Sequence, residues 1–122
     1  MKSLLTGKYG EWLAVRYLKK KGYEIVERNF KTPAGEIDIL ARDSGVLVFA
    51  EVKTRRGDRF GHPSEAVGRA KKRKMEDSAL LYLKKFKKTP QARFDVICVT
   101  LDGTKNSIEH ITDAFELTES RA

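Results

Sequence analysis

The spacing of apolar and polar residues along the chain predicts two helices and five strands. Within residues 3–21, Glu11, Val15 and Leu18 fall at i, i+4 and i+7, which is the period of one helix face. Gly22 follows a run of lysines, and this combination is typical of a helix C-terminus. Beyond the glycine, apolar and polar side chains alternate, which indicates a strand over residues 23–30.

Two apolar stretches joined by a tight turn form the centre of the chain. GEIDILARD and VLVFAEVKTRR have the composition of strands that are buried on at least one face, yet both carry charged residues. Ser44 and Gly45 lie between them and suit a two-residue hairpin loop. The sequence therefore predicts a hairpin whose charged side chains need a physical reason.

The hairpin geometry predicts which charges meet. If the turn centres on Ser44 and Gly45, paired residues sum to 89, so Asp38 faces Glu51 across the ladder. A loop one residue longer or shorter keeps these two acids on neighbouring strands without the direct pairing. The period of two predicts one charged face and one apolar face. The charged face would hold Glu36, Asp38, Glu51 and Lys53, and the apolar face Ile37, Ile39, Val48, Ala50 and Val52.

One further helix and two strands are predicted in the second half. Pro63 and Ser64 are typical of a helix start, and the helix is expected to run to about Lys88. Apolar runs predict strands over 94–100 and 107–111, and the tail from 112 is expected to add a helical turn. The apolar stripe of the helix would comprise Met75, Ala79, Tyr82, Leu83 and Phe86, with Val67, Ala70 and Leu81 alongside.

This order of elements, α–β–β–β–α–β–β, favours one α/β arrangement. A single central mixed β-sheet flanked by helices buries all the apolar faces in the fewest layers. At 122 residues the chain is long enough for one core and too short for two, so residues 1–122 are expected to form a single domain.

The chain is strongly basic. Lys and Arg number 25 against 17 Asp and Glu, giving a net charge of +8. Such a surface attracts polyanions, of which nucleic acid is the commonest in the cytoplasm, although a solvated helix face is the alternative for each lysine run. No apolar run reaches 18 residues and the N-terminus lacks a sustained apolar region, so a cytoplasmic protein without membrane contact is expected.

The two facing acids favour a cation site. Carboxylates about 5 Å apart repel by roughly 3–4 kcal/mol at an effective dielectric of 20. A divalent cation bound by both Asp38 and Glu51 would offset this most strongly, with a shared proton or the Lys53 charge as weaker alternatives. Glu11 and Lys71 lie on the apolar stripes of the two helices and are expected to point at the same place, unless each merely extends its charge to solvent.

The setting of these residues resembles the active-site hairpin of the PD-(D/E)XK nuclease superfamily, most closely its archaeal Holliday-junction-resolvase-like branch. The blocks GKYGEWLAVRYLKKKGYEIVERNF, GEIDIL, VFAEVKTR, FGHPSEAVGRAKKRKM, RFDVI and DAF are similar to those of the bacterial YraN family. Ile37 stands where the superfamily name has proline, and Ala50 where members commonly have valine, and neither change removes a functional group. The resemblance implies a restriction-endonuclease-like fold.

The resemblance also implies roles for individual residues. Asp38 and Glu51 would bind Mg²⁺ or Mn²⁺ with the carbonyl of Val52, and Glu11 would complete the metal shell directly or through water. Lys53 would orient or activate the attacking water and stabilise charge on the phosphoryl oxygens. Four basic residues would neutralise phosphate and hold the nucleic-acid backbone: Arg55, Arg56, Lys71 and Lys74.

The implied activity is metal-dependent endonucleolytic hydrolysis of nucleic-acid phosphodiester bonds. DNA is the expected substrate, branched DNA included, and a homodimer is admitted because a junction resolvase normally works as a dimer. One alternative is a nucleic-acid-binding module that keeps the nuclease-like fold with little or no catalysis. Another is an interaction domain in which the charges form a buried ion-pair network.

Overall fold

The computed structural model describes residues 2–57 and 67–117, with side chains described from residue 6 onward. The predicted order of elements and the α/β class are confirmed. The elements are α1 (Lys2–Lys20), β1 (Glu24–Thr32), β2 (Gly35–Asp43), β3 (Val46–Arg56), α2 (Arg69–Leu83), β4 (Ala92–Asp102) and β5 (Lys105–Phe115). No helix within these ranges has the length and apolar character needed to cross a membrane.

The five strands form one mixed sheet in the order β1-β2-β3-β4-β5. Only the β3–β4 pairing is parallel, and the segment containing α2 connects these two strands. A parallel pair needs a crossover connection of this kind, which places a helix against one face of the sheet. The C-terminal ends of β3 and β4 therefore lie at the same edge.

Each helix covers one face of the sheet and closes one apolar layer. Alternation along β3 sends Leu47 and Phe49 to the α2 side, and Val48 and Ala50 to the α1 side. The α1 layer is completed by Ala14, Val15, Leu18, Tyr23, Ile39, Ala41, Ile97 and Val99. Because both faces of β3 are covered over residues 47–50, Glu51, which follows directly, is largely removed from water.

The alternation along β2 slips by one residue at Asp38. Ile39 packs in the α1 layer, whereas Ile37 packs with Phe49 in the α2 layer. Opposite Asp38, Asn29 on β1 has a positive φ of 51°, and the β1–β2 pairing skips this position. The prediction that Ile37 and Ile39 share a face is wrong, because the left-handed backbone at Asn29 interrupts the pleat that period-two alternation assumes.

The second helix is shorter than predicted at both ends. α2 begins at Arg69, because Gly68 has an extended backbone, and it ends at Leu83, before the predicted end near Lys88. The predicted start residues Pro63 and Ser64 lie outside the described residues. Ala70 and Leu81 are exposed, although the sequence placed them beside the apolar stripe. At 100° per residue both lie on the side of the helix that faces away from the sheet.

The predicted helical turn in the tail is wrong. β5 continues to Phe115, whose ring stacks on that of Phe94 with centroids 4.6 Å apart. The Asp113 N–H donates a 3.0 Å hydrogen bond to Asp95 at a register shift in the β4–β5 ladder. Pairing with the edge of β4 satisfies backbone groups that a lone helical turn would leave to solvent.

A buried carboxylate connects α1 to the sheet. Asp95 is 0% exposed, and its oxygens lie 2.7 Å from His110 Nε2 and 3.0 Å from Arg93 Nε. Burial would raise the pKa of Asp95, but the hydrogen bonds from His110 and Arg93 outweigh burial and hold its pKa below the ordinary value. The His110 Nδ1 lies 3.0 Å from the Tyr17 hydroxyl, so α1 is held to β4 and β5 by polar contacts as well as by apolar packing.

α1 also lies directly against β3 at Gly10. A Cβ atom built at this position would overlap the side chain of Thr54. Glycine is therefore required here by space, since it lets the helix backbone approach the strand. This close approach carries the next residue, Glu11, toward the centre of the hairpin.

Two glycine substitutions on the same helix test the close approach. Gly10→Ala is expected to lower the free energy of unfolding by about 1–3 kcal/mol, because the new methyl group collides with Thr54. Gly7→Ala meets no atom within 4 Å and is expected to raise it by roughly 0.5–1 kcal/mol through helix propensity. Urea unfolding of the three proteins measures both changes, and effects of the same sign would contradict the packing described for α1.

Candidate functional site

The predicted register of the central hairpin is confirmed for five residue pairs, but the predicted Asp38–Glu51 pair is not among them. Pairs that sum to 89 run from Asp43–Val46, next to the turn, to Ile39–Ala50. Beyond that pair the regular β2–β3 ladder ends. The Asp38 side chain takes over there, since its Oδ2 accepts a 2.8 Å hydrogen bond from the backbone N–H of Val52.

Glu51 is brought beside Asp38 and is nearly buried, with 8% of its surface exposed. Its Oε2 lies 3.3 Å from the ammonium nitrogen of Lys71 on α2. The other oxygen, Oε1, is buried and accepts no hydrogen bond from the residues that the structure describes. One lone-pair acceptor in a low-dielectric setting is thus unsatisfied, which is costly unless a proton or a cation reaches it.

The pKa values of the two acids reflect this arrangement. Burial, and next the negative charge of Asp38, raise the pKa of Glu51 from 4.5 to about 8, against the opposing effect of Lys71. Burial also raises the pKa of Asp38, against the hydrogen bond from the Val52 N–H. The pair therefore favours an added positive charge, supplied either by a proton or by a cation.

A third carboxylate approaches from α1 and is held by Asn29. The Asn29 side-chain amide donates one 3.0 Å hydrogen bond to Glu11 and one 3.0 Å hydrogen bond to Glu36. Burial raises the pKa of Glu11, the hydrogen bond from Asn29 lowers it, and the charge of Asp38 raises it further. Glu11 is thus hydrogen-bonded to Asn29 and close enough to Asp38 for the two negative charges to repel each other.

Glu36 does not share the surface of Glu51, contrary to the expected charged face. Glu36 accepts a hydrogen bond from Asn29, which also bonds Glu11 on α1. Glu51 instead forms its ion pair with Lys71 on α2, on the other side of the sheet. The cause is the same slip of the pleat at Asp38. Asn29 belongs to the blocks that resemble the YraN family, but the sequence assigned it no role in the site, because its positive φ and its two hydrogen bonds appear only in the structure.

The predicted phosphate-binding residues divide between the two sides of the sheet. Lys53 is exposed two residues after Glu51, and alternation places it on the same side. Arg55 extends along that side, with its guanidinium 3.7 Å from the buried Cys98 sulfur. Arg56 lies on the α1 side, where its guanidinium donates to the Thr6 hydroxyl at 3.4 Å.

The α2 helix supplies the other basic residues. Lys71 reaches Glu51, as its place on the helix stripe predicted. Lys74, one turn later, packs its Cβ beside Gly35 at the start of β2, and its side chain is exposed. The structure therefore brings Lys71 to Glu51, leaves Lys53 exposed on the same side of the sheet, and places Lys74 beside Gly35.

The donor set fits a hard divalent cation. Asp38 and Glu51 supply carboxylate oxygens, and Glu51 Oε1 is buried without a partner among the described residues. Val52, which lies between Glu51 and Lys53 in the sequence, has a backbone carbonyl that could serve as a further oxygen ligand. Within the described ranges, no three His, Cys, Asp or Glu side chains form a ready cluster for a metal. One or two carboxylates completed by water and substrate are the usual Mg²⁺ environment, so the residues present fit Mg²⁺ or Mn²⁺.

Comparison with known proteins places these residues in a family. The family model described as uncharacterised protein family UPF0102 matches residues 10–99, which include both acids and both helices' contributions to the site. A UPF0102 protein of Syntrophus aciditrophicus is 47% identical over 98% of this chain and 94% of its own length. UPF0102 proteins of Thermodesulfovibrio yellowstonii and Geobacter metallireducens are 48% and 49% identical, over 89% and 91% of this chain and 94% and 92% of their own lengths.

Glu51→Gln tests the raised pKa. Glu51 titrates near 4.5 when unfolded and near 8 when folded, so its ionisation lowers the free energy of unfolding as the pH rises through this window. Glutamine resembles the protonated acid, so the substitution is expected to change little at about pH 5 and to stabilise the protein by at least about 1 kcal/mol, or roughly 3–6 °C in Tm, at about pH 8.5. Thermal unfolding of both proteins at both pH values measures this.

The same melts test cation binding. Mg²⁺ is expected to raise the Tm of the wild type at the higher pH and to leave Glu51→Gln unchanged, since the cation takes the place of the proton. Glu24→Gln, an exposed acid on β1, is the matched control and should behave as the wild type in both respects. Identical melting of the wild type and Glu51→Gln at both pH values would contradict the raised pKa.

Proposed function

The chain belongs to the uncharacterised protein family UPF0102, and we propose that it is a metal-dependent endonuclease that hydrolyses phosphodiester bonds in DNA. The observation that carries the proposal is the pair formed by half-buried Asp38 and nearly buried Glu51, whose pKa values are both raised and which keeps one Glu51 oxygen without a hydrogen-bond partner among the described residues. Acidic side chains whose pKa values are raised by burial and by a neighbouring negative charge are typical of functional sites. A basic surface around them supplies the attraction for a polyanion.

The metal-binding residues in this proposal are Asp38 and Glu51, with the carbonyl of Val52 as a further ligand and Glu11 completing the shell directly or through water. When bound, Mg²⁺ or Mn²⁺ would lower the pKa of a water molecule and stabilise charge on the phosphoryl oxygens. The Val52 N–H donates a hydrogen bond to Asp38 Oδ2, which leaves Asp38 Oδ1 for the metal ion. Asn29 holds Glu11 in the same region.

The basic side chains take two roles in the proposal. Lys53 is exposed on the side of Glu51 and can orient the attacking water or stabilise the phosphoryl oxygens. Lys71 balances the charge of Glu51 and, with 45% of its side chain exposed, can also meet a phosphate. Hydrolysis by water needs no covalent enzyme intermediate, and Ser or Cys nucleophiles have no place in the scheme.

Binding of the DNA backbone is assigned to the remaining basic residues. Arg55, Arg56 and Lys74 surround the hairpin, and the net charge of +8 adds long-range attraction. Contacts to phosphate provide affinity that weakens with salt and carry no sequence information. If the substrate is a four-way junction, concerted cutting of two strands requires two copies of the chain.

One observation favours a second candidate function, a nucleic-acid-binding module with little or no catalysis. Lys71 already forms an ion pair with Glu51, so this acid has a partner without any metal. A binding module would keep its affinity for DNA after loss of either acid. A substitution at either acid should therefore abolish DNA cleavage if the protein is a nuclease, whereas a binding module has no cleavage to lose.

Asp38→Ala distinguishes them. With Mg²⁺ or Mn²⁺, the wild type is expected to cleave at least one labelled substrate among four-way-junction, flap, single-stranded and duplex DNA. The variant is expected to lose this cleavage by about 100-fold or more, because it removes a metal ligand. Its affinity for DNA, measured in EDTA, is expected to be unchanged, and Glu24→Gln is the control for loss of an exposed acid.

The opposite result has a defined meaning. If the wild type binds DNA but cuts none of these substrates with either metal, and Asp38→Ala binds equally well, catalysis is excluded under those conditions. The binding module would then be the better description.

A further inference from the structure

The outer surface of α1 carries an exposed aromatic and cationic stack. The rings of Tyr9 and Trp12 lie 5.9 Å apart at an angle of 16°, and the Arg16 guanidinium lies 4.8 Å above the indole. Tyr9 is 45% exposed and Trp12 is 44% exposed. The i, i+3 and i+7 spacing aligns the three planar groups along one face of the helix, and we call this set the α1 stack.

The Tyr9 hydroxyl accepts a 3.3 Å hydrogen bond from the side-chain amide of Asn106 on β5, yet close to half of the surface of Tyr9 and of Trp12 stays exposed. Other large apolar side chains that are exposed in the described ranges, Val26 and Leu81, lie on different elements. Two adjacent aromatic rings in water form a contiguous apolar patch, and such a patch usually marks a binding surface. Planar rings flanked by a guanidinium suit a flat, electron-rich partner.

The α1 stack lies on the same helix as Glu11, the candidate site residue that α1 contributes. Trp12 directly follows Glu11, which accepts a hydrogen bond from Asn29. Three residues before Tyr9, the Thr6 hydroxyl accepts a hydrogen bond from Arg56 at the end of β3. A strand whose phosphates are near Arg56 would therefore run beside α1, where its unpaired bases can reach the α1 stack.

We propose that the α1 stack binds the bases of an unpaired DNA strand, so that the substrate has a single-stranded segment beside the bond that is cut. The inference rests on the proposed function and adds the substrate class to it. Aromatic rings bind every base through its π-face, and guanidinium groups stack on bases in the same way. Bases within a duplex already stack on each other, so only unpaired bases can use Tyr9, Trp12 and Arg16.

Charge favours nucleic acid over a second copy of the chain. Exposed cations accompany the aromatic rings along α1: Lys8, Arg16, Lys19 and Lys20. A symmetric dimer through this surface would bring the same cations against each other, which is unfavourable. A polyanionic strand gains from both the cations and the rings.

Trp12 is the single tryptophan of the chain, so its fluorescence reports on this surface directly. We expect a single-stranded oligodeoxynucleotide to quench Trp12 fluorescence and a blunt duplex of the same length to quench it much less. The titration is made in EDTA, where metal-dependent cleavage is absent. A failure of nuclease activity and a failure of base stacking are therefore separate results.

Substitutions at Trp12 separate stacking from simple apolar contact. By anisotropy of a labelled oligodeoxynucleotide, Trp12→Leu is expected to weaken single-strand binding by about 10-fold or more and duplex binding by less than about 2-fold. Trp12→Phe keeps a π-face and is expected to restore most of the affinity. Leu81→Ala, an exposed apolar residue on α2, is the control and should change neither affinity. Thermal unfolding confirms that each variant is folded.

Three results would overturn the proposal. The first is equal weakening of single-strand and duplex binding by Trp12→Leu. The second is tighter binding of an oligoribonucleotide of the same sequence, which would assign the surface to RNA. The third is dimerisation without nucleic acid, seen by sedimentation and abolished by Trp12→Leu, which would make the α1 stack an interface between two copies.

Discussion

The hydrogen bond from the Val52 N–H to the Asp38 carboxylate is the contact on which the arrangement of the site depends. It replaces a backbone pairing at the point where the β2–β3 ladder stops, so the chain is held together there by a charged side chain. The left-handed Asn29 on the neighbouring strand makes this possible, because it removes Asp38 from the β1–β2 ladder as well. Because the backbone of Asp38 is paired in neither ladder, its carboxylate can lie beside Glu51.

The surrounding fold supports this arrangement from both sides of the sheet. Both faces carry an apolar layer, and Glu51 keeps only 8% of its surface exposed. Gly10 lets α1 approach β3, and the buried Asp95 holds His110, which in turn contacts Tyr17 on α1. Burial of Asp95 costs free energy, but both of its carboxylate oxygens accept hydrogen bonds in the folded chain. Glu51 Oε1, in contrast, has no hydrogen-bond partner among the described residues. This contrast between a buried acid with all its partners and one without is the reason that we assign Asp95 to the fold and propose Glu51 for the site.

Electrostatics act on two length scales in this protein. Over long distances the net charge of +8 favours approach by polyanions over approach by polycations. At the hairpin the sign is reversed, since two acids with raised pKa values favour a bound cation. The proposed endonuclease would use both features, the positive surface to bind the phosphate backbone and the negative centre to hold the divalent cation. The exposed rings of Tyr9 and Trp12 add a contact that charge alone does not provide.

The sequence by itself determined the order of elements, the hairpin turn and the register that brings Asp38 to Glu51, because local periodicity and turn chemistry control all three. The tertiary structure decided what local patterns do not encode. It slipped the pleat at Asp38, separated Glu36 from Glu51, extended β5 through the expected helical turn and placed Asn29 between two acids. Each of these depends on a partner distant in sequence, whose hydrogen bonds or packing outweigh the local preference.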